Sequence, residues 1–181
     1  LAQASLAGGA PRPILENVED ADWSPNGESL AVIRDVGGRY RLEYPTGKVL
    51  YETETWIGSL RFSRDGKWLA FLSARDEGQT QVWLLSRQGG EATPLTEVKQ
   101  GVTGFEWSPD GTRLALLIQD PTPEQAGDSS WIGLKAKTPR PVVIDRLQFK
   151  RDYAGYLDRR RNHLYVFDVA TRKLTRADVE P

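Results

Sequence analysis

Serine and histidine are the residues here whose chemistry could support hydrolysis, but neither stands in a suitable pattern. A serine nucleophile held on a strained strand-to-helix turn needs G-x-S-x-G, and the sequence contains no such motif. The nearest serines are Ser129 and Ser130 in AGDSSWIG, with the wrong spacing. The only histidine, His163, opens a predicted strand, and nothing places it beside a serine. We therefore predict a strand-edge role for His163 and no enzymatic activity.

Metal and cofactor sites are not expected either. Asp20, Asp22, Ser24 and Asn26 alternate in DADWSPNG as calcium ligands would. A helix-loop-helix calcium loop, however, needs glycine at its sixth position and glutamate at its twelfth, where this chain has Pro25 and an alanine. The absence of cysteine excludes thiolate zinc sites, and no Gly-Gly pair leads into the Gly-Lys-Ser/Thr of a phosphate loop. We expect no cofactor and no metal.

The segment most suited to binding a ligand is 119–162, a long insertion between two predicted strands. Long irregular insertions in compact domains are usually functional or disordered. Its basic and aromatic residues predict a binding surface, made of Arg146, Lys150, Arg151, Tyr153, Tyr156, Arg159 and Arg160. Three aspartates are interleaved, and the whole chain has 24 basic and 25 acidic residues for a net charge of −1. An unopposed basic footprint is missing, so nucleic acid is not an expected partner.

One short phrase occurs three times and predicts the elements that carry these residues. It is DWSPNGESLAVI in the first copy, RFSRDGKWLAFL in the second and EWSPDGTRLALL in the third. The aligned serines are Ser24, Ser63 and Ser108, which are 39 and then 45 residues apart. A period of about 40–45 residues is typical of one four-stranded propeller blade.

Each copy predicts a strand, a tight turn and a second strand. Alternating apolar residues precede the serine, as in a half-buried strand. Ser-Pro-Asp-Gly suits a type I turn, with serine first and glycine last. The apolar runs 30–33, 69–72 and 114–117 that follow predict strands covered on both faces. Further hairpins are predicted over 41–52, 81–95 and 163–175, with a partial one at the N-terminus.

The predicted fold is all-β: a β-propeller-like array of about 3.5 four-stranded blades, incomplete as a monomer. We expect residues 1–181 to form a single β-propeller-type segment. Its parts are a partial outer hairpin at 1–16, blades at 17–54 and 55–97, and a third blade at 98–177 that contains the insertion.

The phrase W/F-S-P-D-G-x-x-L-A resembles the repeat of TolB-like and WD-type β-propellers. Residues 75–176, with TPRPVVIDRLQFKRDYAGYLDRRRNHLYVFDVATRKLTR, resemble the propeller of the prolyl oligopeptidase family, in its acylaminoacyl-peptidase-like branch. Residues 1–56 are more similar to TolB-like propellers of bacterial kinases. The two resemblances imply a junction near 56–75 and a fragment or engineered chimera. The absence of methionine, even at position 1, also points to a trimmed or engineered sequence.

An incomplete ring leaves edge strands and, we expect, an apolar blade face at each end. Such surfaces imply a partner or aggregation, so a homo-oligomer, most simply a symmetric dimer, is predicted. The alternative is an open arc whose terminal hairpins fold back over the ends. The apolar runs are too short to span a membrane, and no membrane partner is expected. The resemblance implies a soluble protein of the bacterial cytoplasm or periplasm, without deciding between them.

Three functions follow from these observations. The first is a non-catalytic scaffold or interaction module that self-associates. The second is the substrate-gating portion of a prolyl oligopeptidase-family serine peptidase, whose hydrolase domain is absent from this sequence. The third is a TolB-like module that binds a peptide or glycan through the insertion.

Overall fold

The computed structural model of the chain describes residues 1–75, 78–121, 150–151, 155–156 and 160–177. Their strands form antiparallel sheets, three of which have four strands each. Among the described residues, no helix is long and apolar enough to cross a membrane. The expected all-β, propeller-like array is therefore confirmed.

The first blade contains one copy of the repeated phrase and the hairpin that follows it. Its strands are β3 Val18–Trp23, β4 Leu30–Val36, β5 Arg39–Glu43 and β6 Val49–Thr53, and they pair in chain order. Before them, β1 Ala2–Gln3 and β2 Arg12–Pro13 pair with each other in a separate sheet. Every residue from 1 to 14 is exposed. This N-terminal hairpin therefore covers no blade face, and the expectation of a hairpin folding back is not met at this end.

The second and third blades repeat the same order. The second is formed by β7 Ile57–Phe62, β8 Trp68–Ser73, β9 Gln81–Ser86 and β10 Thr93–Pro94. The third is formed by β11 Gly104–Trp107, β12 Arg113–Gln119, β15 Asn162–Asp168 and β16 Leu174–Arg176. Between its middle strands, β13 Lys150–Arg151 pairs with β14 Gly155–Tyr156.

The serine of the repeated phrase closes a tight turn in all three blades. In the second, the Gly66 amide donates to the Ser63 carbonyl at 2.8 Å. The Ser63 hydroxyl accepts from the Trp68 amide at 3.0 Å and donates to Asp65 at 2.7 Å. Equivalent bonds occur in the first and third copies. The three turn glycines have φ near +70°, which glycine adopts without strain. The prediction that Ser-Pro-Asp-Gly is a turn is confirmed.

The blades are held together by two apolar cores, one at each blade–blade boundary. We call the face that a blade turns toward the following blade its leading face, and the opposite one its trailing face. The leading faces carry four equivalent residues: Ala31, Ile33, Leu42 and Tyr44 in the first blade, and Ala70, Leu72, Val82 and Leu84 in the second. The trailing faces that meet them carry larger residues: Leu69, Phe71, Trp83 and Leu85 in the second blade, and Leu114, Leu116, Tyr165 and Phe167 in the third.

The second strand of the middle blade is covered on both faces by its two neighbouring blades. Its residues 69–72 are all at most 2 % exposed. In the first blade residues 31–33 are fully buried as well, although only its leading face meets another blade. In the third blade, Leu114 is fully buried while Leu117 is 42 % exposed. The predicted double coverage is therefore wrong for the third blade. The pattern of apolar residues is the same, but no described residues cover its leading face.

The acid that follows the turn serine should make the third turn sensitive to pH. Hydrogen bonds from the Ser108 hydroxyl and from Thr112 lower the pKa of Asp110 to about 2, from an ordinary value of 3.8. A depressed pKa stabilises the fold above the ordinary value, and this contribution is lost as the pH falls from about 4 to about 2. In Asp110→Asn that part of the acid destabilisation should disappear. The fold should survive, because Asn26 occupies the same position in the first turn.

Urea unfolding followed by tryptophan fluorescence between pH 2 and 5 measures this difference. Glu97→Gln, at an exposed glutamate, is the matched control and should keep the wild-type pH dependence. If the free energy of unfolding of Asp110→Asn changed with pH as much as that of the wild type between pH 2 and 5, the lowered pKa of Asp110 would not be the cause of the acid destabilisation.

Candidate functional site

The inner strands β3, β7 and β11 line one groove of about 430 Å³, which runs across all three blades beside the serine turns. Each blade contributes the residue two positions before its serine and the aromatic residue just before it. The first set is Asp22, Arg61 and Glu106, and the second is Trp23, Phe62 and Trp107. Charge therefore alternates along the groove beside an aromatic row. Equivalent positions meet because the strands are neighbours across the blade boundaries.

An ion pair connects the second and third blades within this groove. The Arg61 Nε atom donates to both carboxylate oxygens of Glu106, at 2.7 and 3.0 Å, and its Nη1 donates to the Leu60 carbonyl at 2.7 Å. Glu106 is the main cause of the raised pKa of the Arg61 guanidinium. Both side chains remain partly exposed, so the pair contributes little stability. Its main effect is to fix the orientation of the charges.

Asp20 and Asp22, the two acids that superficially resemble calcium ligands, connect the first blade to the second. The Leu60 amide donates to Asp20 Oδ2 at 2.7 Å, and the Phe62 amide donates to Asp22 Oδ2 at 2.8 Å. These amides lie on the free edge of inner strand β7, where an unpaired N–H group would be costly. Asp20 and Asp22 therefore accept hydrogen bonds from backbone amides on the free edge of β7, a role that the sequence analysis did not predict. Their alternate spacing before the turn was the available signal.

The binding surface predicted from the insertion cannot be assembled from the described residues. Lys150 is exposed, and its register partner across β13 and β14 is Tyr156. Arg160 is half-buried, and Arg151 is placed only as a strand residue. The remaining three members, Arg146, Tyr153 and Arg159, lie outside the described residues. The surface stays a prediction.

At the base of the insertion, His163 lies between an acid and a base. It is the second residue of β15, as expected for a strand-edge residue. Asp120 Oδ1 lies 2.7 Å from its Nε2, and Arg176 Nη2 lies 2.7 Å from its Nδ1. A guanidinium only donates, so Nδ1 accepts and Nε2–H donates to Asp120. In a Ser-His-Asp system the nitrogen that does not face the acid must face the nucleophile, and here it faces Arg176.

Asp120 also ties together the two chain segments that flank the insertion. The Arg161 amide donates to Asp120 Oδ2 at 2.8 Å, and the Asp120 amide donates to the Arg161 carbonyl at 2.8 Å. The first of these bonds is the main reason that the pKa of Asp120 lies below its ordinary value. The Asp120–His163 contact therefore belongs to a set of hydrogen bonds that joins residue 120 to residues 161–163 and has a structural role.

The leading face of the third blade is an apolar surface without a neighbour among the described residues. It carries Ala115, Leu117, Leu164 and Val166, at the positions of the two packed quartets. Leu117 is 42 % exposed and Leu164 is 44 % exposed, whereas the equivalent Leu72 and Val82 are at most 2 % exposed. This is the apolar end that the sequence predicted.

The trailing face of the first blade differs from that prediction. Where the other blades have Trp83 and Tyr165, this blade has Glu43, which is 2 % exposed. The Glu43 carboxylate lies 3.2 Å from Arg34 Nη1 and accepts the Gly47 amide at 2.9 Å. The expectation of an apolar face at both ends is therefore wrong for the first blade, because an ion pair with a backbone hydrogen bond takes the place of the apolar contact.

Comparisons with known proteins agree with this architecture. No family model matches the chain. The model superimposes on TolB from Acinetobacter baumannii with a TM-score of 0.63 at 15 % identity, over 97 % of this chain and 36 % of that one. It superimposes on an acylaminoacyl peptidase from Pyrococcus horikoshii with a TM-score of 0.52 at 16 % identity, over 80 % and 22 % respectively. The chain is a β-propeller segment. The resemblance to TolB-like and peptidase propellers is thus confirmed for the fold.

One curated relative covers most of this propeller segment. YuxL of Bacillus subtilis, described as an uncharacterized peptidase, is 30 % identical over 157 residues, which cover 78 % of this chain and 23 % of YuxL. The segment therefore spans less than a quarter of that relative.

The two aspartates between the first blades should matter more for stability than their exposure suggests. Asp20→Ala and Asp22→Ala each leave the amide of a buried strand residue without an acceptor. We expect each to lower the free energy of unfolding by about 1–3 kcal/mol, the usual effect of an unsatisfied buried donor. Denaturant unfolding measures the change.

Glu19→Ala, one residue earlier and exposed, is the control and should unfold like the wild type. Asp20→Asn should be milder than Asp20→Ala, because an amide oxygen can still accept. If Asp20→Ala proved as stable as Glu19→Ala, the proposed link between the blades would be refuted.

Proposed function

We propose that this propeller segment is a non-catalytic interaction module that associates with itself through the leading face of its third blade. The observation that carries the proposal is the exposure of Leu117 and Leu164 at positions that are buried in the other two blades. The same four-residue pattern forms both internal blade boundaries. It is therefore a surface of a kind that this chain already uses for packing.

The exposed apolar area of Leu117 and Leu164 favours association. Removing apolar surface from water contributes roughly 25 cal/mol per Å², and exposed apolar patches of appreciable size usually mark interaction sites. In the part of the chain that the structure describes, β11 and β16 are the edge strands of the third blade, and edge strands favour pairing with another chain. Association covers both kinds of surface.

The absence of catalysis is supported by residue chemistry. The sequence has no nucleophile elbow and a single histidine. The nitrogen of His163 that would face a nucleophile faces Arg176 instead. Propeller domains in general present surfaces and channels rather than reactive groups, and the contacts of His163 fit that role.

A single natural origin is favoured over a chimera. The similarity to YuxL covers 78 % of the chain, so it extends across residues 56–75, where the sequence predicted a junction. One relative on both sides of that junction supports one ancestry.

Mutation of the open face should dissociate the module. We expect the wild type to show a dimer mass by size-exclusion chromatography with light scattering, and Leu117→Lys or Leu164→Lys to shift that mass to the monomer. A charge at the centre of an apolar interface must be desolvated without a partner. Both side chains are substantially exposed in the single chain, so the variants should fold.

Leu6→Lys is the matched control, because Leu6 is fully exposed on the N-terminal hairpin; its mass should equal that of the wild type. A wild type that stays monomeric at every concentration would refute self-association.

A second function is favoured by the peptidase-named relative. YuxL and the Pyrococcus horikoshii structure both carry peptidase names, so this segment is also a candidate for the substrate-gating portion of such an enzyme. The third hypothesis, ligand binding through the insertion, depends mostly on residues outside the described ranges and stays a prediction.

Hydrolysis assays separate the second function from the first. The chain alone should not cleave an acyl-peptide or proline-containing chromogenic substrate. With the hydrolase domain of a prolyl oligopeptidase-family peptidase supplied, a gating segment should change the size of substrate that is cleaved. Turnover by the isolated chain that a serine-directed inhibitor abolishes would contradict the non-catalytic assignment.

A further inference from the structure

We infer that the partner at the open face is a second copy of this chain, bound leading face to leading face about a two-fold axis, rather than head to tail as in ring closure. The inference rests on the proposed self-association and specifies its geometry. Head-to-tail closure would place the leading face of one third blade against the trailing face of the other copy's first blade. The residues on these two faces decide between the arrangements.

The internal boundaries of the chain show what a leading face packs against. The leading quartet of the first blade meets Phe71 and Trp83, and that of the second blade meets Leu116 and Tyr165. At both boundaries the leading quartet, which is aliphatic except for Tyr44, packs against apolar side chains. A partner for the third leading face must therefore offer apolar side chains at these positions.

The first blade does not offer them. Its residue at the position of Trp83 is Glu43, paired with Arg34, and the neighbouring Arg41 on the same face pairs with Glu52. Val32, at the position of Phe71, is already fully buried within the chain. Head-to-tail packing would place leucine side chains against the charged groups of the first blade. Those guanidinium and carboxylate groups would lose their hydration, and desolvating charged groups is costly.

The inner strands disfavour the head-to-tail arrangement for a second reason. Within the chain the charge at the groove alternates, and Glu106 of the third blade is neutralised by Arg61 of the second. Ring closure would bring the partner's Asp22 to the other side of Glu106. Two carboxylates at neighbouring positions repel each other, where the internal boundary has an attraction.

The two-fold arrangement avoids both conflicts. The leading face carries Ala115, Leu117, Leu164 and Val166 at its centre, and Glu106, the cross-strand neighbour of Ala115, is neutralised by Arg61 of the same chain. A two-fold axis places the same patch on both sides of the interface, so apolar surface meets apolar surface. The first blade keeps its ion-paired trailing face in water.

Cross-linking with single cysteines tests this geometry, since the native chain contains no cysteine. Leu164→Cys places one thiol near the centre of the leading face. Val49→Cys places one on the trailing side of the first blade, opposite Glu43, and this protein carries a tag that makes it larger. Each variant, and their mixture, is treated with a short bis-maleimide linker. Leu6→Cys, on the exposed hairpin, reports random collisions.

The expected result is a cross-linked Leu164→Cys dimer, with Val49→Cys and the mixed product at the Leu6→Cys background. A mixed Leu164–Val49 product above that background, with a dimer mass, would overturn the two-fold geometry while leaving self-association intact. A monomer mass for the wild type and both variants would refute self-association itself. Light scattering on the same samples separates these outcomes.

Discussion

The second and third blades of this chain carry apolar side chains on both faces of a four-stranded sheet, and an apolar face excludes water only when it packs against a neighbour. The two internal boundaries satisfy four of the six faces, with Ala, Ile, Leu, Val and Tyr on one side and Phe, Trp, Tyr and Leu on the other. The inner-strand aspartates and the Arg61–Glu106 pair add polar contacts across the same two boundaries. The architecture is therefore determined by boundaries between blades more than by any single blade.

The two remaining faces are treated differently. On the first blade, Glu43 is buried but neutralised by Arg34 and the Gly47 amide, an arrangement that tolerates water nearby and resists apolar neighbours. On the third blade the apolar pattern continues unchanged and Leu117 and Leu164 stay exposed. The trailing face of the first blade thus carries paired charges. The leading face of the third blade has the apolar composition of an internal boundary, but no other blade packs against it among the described residues.

Much of the fold was predictable because its signals are local. Serine, aspartate and glycine at fixed offsets specify the turn, and the flanking apolar runs specify the strands, so the blades follow from a repeat of about 40 residues. The missed features depend on contacts that neighbouring residues do not specify. Asp20 and Asp22 gain their role only from amides some 40 residues later. The Arg34–Glu43 pair is closer in sequence, but it depends on the register between the adjacent strands β4 and β5. The predicted ligand surface depends largely on residues outside the described ranges, so the fold does not decide its role.

The charged end of the array bears on how the protein is made. The first blade precedes the others in the chain, so it leaves the ribosome before them, and domains generally fold in that order during synthesis. Because the trailing face of the first blade is already ion-paired, the emerging blade exposes apolar side chains mainly on its leading face. The second blade follows within the next few tens of residues and covers that leading face. Among these three blades, translation thus proceeds in the direction in which the surfaces are completed, and each new blade covers the apolar face that the previous blade left open.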